Sequence, residues 1–117
     1  MLLRESGEHT GDDYDLAAMA AEDGTGGGVA AGAALTAYAD SFYEEGRARF
    51  AAARDRLHEE IGSDALVDAA GVLAIFNAVV RIADATGIPL EEQKAEMSAD
   101  FRGALGINDY PAAAGKV

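Results

Sequence analysis

The sequence predicts an all-α protein, a small bundle of about four or five helices completed by oligomerisation. Three observations carry that expectation. Apolar residues recur in steps of three and four from residue 29 onward, and no stretch alternates as a half-buried strand does. One segment, Ser63 to Pro89, reads as a single long apolar helix with its own start and stop signals. Half of the 117 residues are hydrophobic, yet alanine supplies much of that fraction and tryptophan is absent. Small side chains bury little area each, so the core of one chain is expected to be thin and a homo-oligomer is the expected state. The length suits one domain. It divides into a loosely structured segment with a short helix over 1–28, a helical domain over 29–106 and a tail over 107–117.

In the first segment Asp15 is placed to cap a short helix, DLAAMAAEDG, that Gly24 would end. The following GTGGG invites comparison with phosphate-cradling loops, but no Lys-Ser/Thr follows it and no apolar strand precedes it. It is read as a flexible linker. From Val29, the positions Leu35, Tyr38, Phe42, Gly46, Phe50, Ala53, Leu57 and Ile61 mark one buried face. Ser41 and Glu44 have capping-box spacing and Gly46 is a poor interior residue, so two helices are expected, broken between Glu44 and Phe50. Arg54, Asp55, Arg56, Glu59 and Glu60 are assigned to solvated surface.

Gly62 stands where a helix should end and Ser63 where the next should be capped, with Asp64 at its positive end. From Ala65 to Ile82 apolar residues cover most of the circumference, and such a helix must be central or lie at a subunit interface. Its polar exceptions, Asn77, Arg81 and Asp84, are four and three residues apart and form one stripe. Gly87 and Pro89 stop it. Pro89 then opens a last helix, LEEQKAEMSADFRGALG, with Leu90, Met97, Phe101 and Leu105 as its apolar stripe. The tail after Gly106 is expected to be extended and anchored by Ile107 and Tyr110.

A net charge of -12 argues against nucleic acid, whose phosphates need Lys and Arg. An anionic membrane surface is disfavoured for the same reason. The run from Ala65 to Val80 is interrupted by Asp68 and falls short of a membrane span, and the polar opening gives no secretory signal. A cytoplasmic protein is expected. The absence of cysteine removes disulfides, thiolate metal sites and thiol nucleophiles. The paired glutamates lack the Glu-x-x-His pattern of helical di-iron sites, so neither a metal nor a cofactor is expected.

Gly62-Ser63-Asp64-Ala65-Leu66-Val67, then Ala74-Ile75-Phe76-Asn77, then Arg81-Ile82-Ala83-Asp84-Ala85-Thr86-Gly87 together resemble the carboxymuconolactone decarboxylase and AhpD-like alkylhydroperoxidase superfamily. Ala34-Leu35-Thr36-Ala37-Tyr38-Ala39-Asp40 is similar to the helix that precedes this motif there, so the likeness covers roughly residues 30 to 92. The resemblance implies an all-helical, oligomeric fold. It also implies, for the peroxidase branch, a Cys-x-x-Cys pair followed by a histidine. His9-Thr10 resembles that branch's His-Thr, but the cysteine positions would fall at Leu2 and Glu5, so the thiol chemistry is absent.

The decarboxylase branch needs no cysteine. There His9 is the candidate proton donor or acceptor, and Arg81 the candidate holder of a small carboxylated ligand. Each has a plainer reading. His9 and His58 suit exposed surface, and Arg81 suits a structural pairing with Asp84 or a neighbouring helix. Binding or assembly is therefore the expected role, with a cysteine-free decarboxylase or an acidic helical adaptor as alternatives.

Overall fold

The computed structural model describes residues 2–20, 25–43 and 46–114. Among these residues five α-helices form: α1 (Leu2–Thr10), α2 (Leu16–Ala20), α3 (Gly32–Asp40), α4 (Arg47–Thr86) and α5 (Glu92–Ala104). No strand occurs among the described residues, and the all-α expectation holds.

The first 28 residues carry two helices rather than one. α1 ends where Gly11 turns to positive φ and the amides of Gly11 and Asp12 both donate to the Gly7 carbonyl. Asp15 caps α2 as expected, its Oδ1 accepting from the amides of Ala17 and Ala18 at 2.9 and 3.0 Å. Gly24 lies outside the described residues. The glycine run is not a loose linker. Gly26–Gly28 forms a 3₁₀ turn that packs on α2 and α3, with Gly26 and Gly27 buried. A Cβ on Gly26 would strike the backbone of Gly32 and Ala33, so glycine serves here for close approach.

α3 stops at Asp40, and the break before α4 begins earlier than expected. Ser41 does not open a helix: it closes α3, its hydroxyl donating to the Tyr38 carbonyl at 2.6 Å. Glu44, its supposed capping partner, lies outside the described residues. Gly46, exposed and at a positive φ of 124°, precedes α4.

Gly62 divides α4. At φ 79° and ψ 177° it occupies a region open essentially to glycine alone, and the helix turns there into two limbs, 47–61 and 63–86. Beside the bend, the Ser63 hydroxyl lies 2.9 Å from His58 Nε2. Gly87 then ends the second limb in the left-handed conformation, with the Ile88 amide donating back to the Ala83 carbonyl at 3.1 Å.

The core lies where α3 meets both limbs. Ala34, Tyr38 and Leu57 are buried, and Leu35, Phe50, Ile61, Leu66, Ala69 and Leu73 pack around them. Tyr38, Phe42 and Phe50 add an aromatic cluster with centroids 5.0 to 5.8 Å apart, two of the three pairs edge-on. The anticipated buried face of residues 35–61 is thus largely present. Phe42 and Gly46 are its exceptions: both are exposed.

The second limb is not central. Val67, Val72, Ile75, Phe76, Val79, Val80 and Ile82 are all more than half exposed, because α3 covers only the side bearing Leu66, Ala69 and Leu73. α5 starts at Glu92, two residues later than Leu90, and packs on the following 3₁₀ turn at Ile107–Asp109. The tail is likewise not extended, since a second 3₁₀ turn follows at Pro111–Ala113. Ile107 and Tyr110 do not anchor it by burial, being 39% and 67% exposed.

Candidate functional site

Two adjoining grooves run along the second limb of α4. The first, about 410 Å³, is lined by Leu35, Tyr38 and Ala39 of α3 and by Ala69, Val72, Leu73 and Phe76. Its walls are apolar apart from the Tyr38 hydroxyl. The second, about 280 Å³, shares Leu73 and Phe76 and adds Tyr43, Asn77, Val80, Arg81 and Asp84. The stripe read from the sequence therefore lines one groove, as the four- and three-residue steps of a helix require.

Asn77 is fixed on both sides of its amide. Its Oδ1 accepts from the Tyr43 hydroxyl at 2.9 Å, and its Nδ2 donates to the Leu73 carbonyl one turn earlier at 3.2 Å. Sequence reasoning missed Tyr43. The two residues are 34 positions apart, and no local pattern signals such a pairing.

Arg81 and Asp84 line this groove, both exposed. The pairing expected for Arg81 rested on its being a buried charge, and in this chain it is solvated. A guanidinium there is able to take a carboxylate in two hydrogen bonds, though the Asp84 carboxylate shares the groove and opposes a second negative charge. His9 is not brought to this place. It sits exposed in the last turn of α1, and His58 lies at the Gly62 bend, so neither histidine lines either groove.

Other chemistry finds little support in the geometry. Among the described residues no group of three or more His, Asp or Glu side chains is placed to hold a metal ion. The cleft beside Gly27 and Gly28 is lined by Asp13 and Asp15, carboxylates that oppose a phosphate. Surface pairs such as Arg54 with Asp55 and Arg56 with Glu60 are solvated, as expected, and contribute little to stability.

An 18-residue stretch of α4 is long and apolar enough to cross a membrane by length and composition, and none of it is buried. Counting only the run from Ala65 to Val80 understated this, because a helix carries its apolar surface past isolated charges. The chain matches no family model, no curated protein and no solved structure.

Proposed function

We propose that this chain acts in binding or assembly, as a cysteine-free helical relative of the AhpD-like and carboxymuconolactone decarboxylase proteins, with the second limb of α4 as the face it presents. Surface area carries the reading. The chain exposes 8308 Å², whereas a compact monomer of 12.0 kDa exposes about 6,000 Å². Its radius of gyration, 15.6 Å, exceeds the roughly 13 Å of a compact domain this long. Val67, Val72, Ile75, Phe76, Val79, Val80 and Ile82 of the second limb all contribute to that exposure, each more than half exposed.

Light scattering over a range of protein concentrations tests this. A mass that is a multiple of 12.0 kDa is expected. A single-chain mass throughout, with no partner protein retained, defeats the reading.

A second reading, a cysteine-free enzyme of the decarboxylase type, draws on Arg81 and Asn77 lining one groove. Titration with a small dicarboxylate, followed through the amide signals of Asn77 and Arg81, tests it. Shifts lost in Arg81→Ala support that reading, and unmoved signals defeat it.

A further inference from the structure

We infer that two copies of this chain pair antiparallel through the outer face of residues 68–85, each isoleucine of one copy seated over a small residue of the other; this rests on the assembly reading above.

The face is defined by its distance from the core. Leu66, Ala69 and Leu73 point to α3, and a residue two positions further along a helix lies about 200° around it. Ile75 is therefore turned away from α3, and it is 64% exposed. In steps of three and four it is joined by Asp68, Gly71, Ala78, Ile82 and Ala85, every one exposed. Nothing approaches within 4 Å of a Cβ built on Gly71. Steps alternating between three and four make the seven-residue repeat with which helices pair side by side.

The order of residues chooses both the partner and its direction. Gly71, Ala78 and Ala85 recur every seven positions, and Ile75 and Ile82 recur every seven positions between them. When two such helices run antiparallel, Ile82 of one copy faces Gly71 of the other and Ile75 faces Ala78. Every apolar layer then holds one large and one small side chain, which is the condition for even packing. Asp68 meets Ala85 at the open ends of the seam, within reach of water. The parallel arrangement stacks isoleucine on isoleucine and glycine on glycine, and sets Asp68 against Asp68. It leaves gaps in some layers and a like-charge contact in another.

The pattern is self-complementary about a two-fold axis, so a second copy of the same chain meets it without any further sequence requirement. The chain as a whole exposes about 2,300 Å² beyond a compact monomer, more than the roughly 800 Å² that a stable interface takes from each partner, and on this face Ile75 and Ile82 are 64% and 60% exposed.

The native chain contains no cysteine, so single cysteines report the arrangement directly. Gly71→Cys mixed with Ile82→Cys is expected to give a disulfide-linked heterodimer on mild oxidation, while Gly71→Cys alone gives none. Gly71→Leu adds bulk where Ile82 of the second copy sits but has open space in its own chain. It is expected to keep its helical circular dichroism and weaken pairing at least tenfold. Cross-linking of Gly71→Cys to itself, or pairing indifferent to Gly71→Leu, overturns the antiparallel seam and leaves the assembly reading standing. A chain that stays single at all concentrations overturns the seam and, when no partner protein is retained either, the assembly reading with it. So does a chain that stays single and enters phosphatidylcholine vesicles.

Discussion

The Tyr43 hydroxyl donates to Oδ1 of Asn77 over 2.9 Å, tying the segment after α3 to the middle of the second limb. Tyr43 is 69% exposed, so water competes for this bond and its net contribution is at the low end of the usual range. Tyr43→Phe is expected to cost about 0.5–1 kcal/mol in chemical denaturation. A double-mutant cycle with Asn77→Ala should return a coupling of roughly 0.5 kcal/mol or more. A coupling of zero means that the bond does not hold the two segments together.

Gly62 tests the bend. No atom lies within 4 Å of a Cβ built there, so the cost of Gly62→Ala comes from backbone conformation alone. A loss of about 1–3 kcal/mol is expected. Gly103, also in open space but helical within α5, should respond in the opposite sense: Gly103→Ala is neutral or stabilising by up to about 1 kcal/mol. Equal responses at the two sites would mean that Gly62 is an ordinary helical position.

Leu57 is fully buried and no other large side chain among the described residues is. Leu57→Ala takes this side chain out of the cluster it forms with Ala34 and Tyr38 and should cost about 2–5 kcal/mol. In so thin a core this is expected to abolish the cooperative thermal transition, followed by circular dichroism. A transition that survives with little change places the stabilising contacts elsewhere.

Arg81→Ala is expected to leave thermal stability within about 0.5 kcal/mol, since the side chain is exposed. A drop well beyond that would restore the structural role that the sequence suggested for this arginine.

The chain should show no dithiol-dependent peroxide turnover, because it contains no cysteine to form a thiolate. Turnover above the buffer rate in a coupled peroxide assay would contradict that chemistry.

The helical fold was legible because its signals are local. Spacing placed Tyr38 and Leu57 on one face, Asp15 before α2 and Gly87 after α4. The turn at Gly26–Gly28 was not, since glycines that permit close packing read the same as glycines that permit freedom. Ser41 misled for a related reason: one hydroxyl can open a helix or close the preceding one, and only the chain direction around it decides. Asn77, Arg81 and Asp84 line one groove, but their surroundings depend on Tyr43 and on a solvent exposure that periodicity does not encode. An apolar circumference on residues 65–82 states that something must cover the helix. It does not state what.

The slenderness of the cluster around Leu57 also has a thermodynamic side. Whatever binds only the folded chain adds its binding free energy to the stability of that chain by mass action. When the binding species is the chain itself, its melting temperature becomes a property of the solution, rising with each increase in concentration. Dilution alone is then a denaturant.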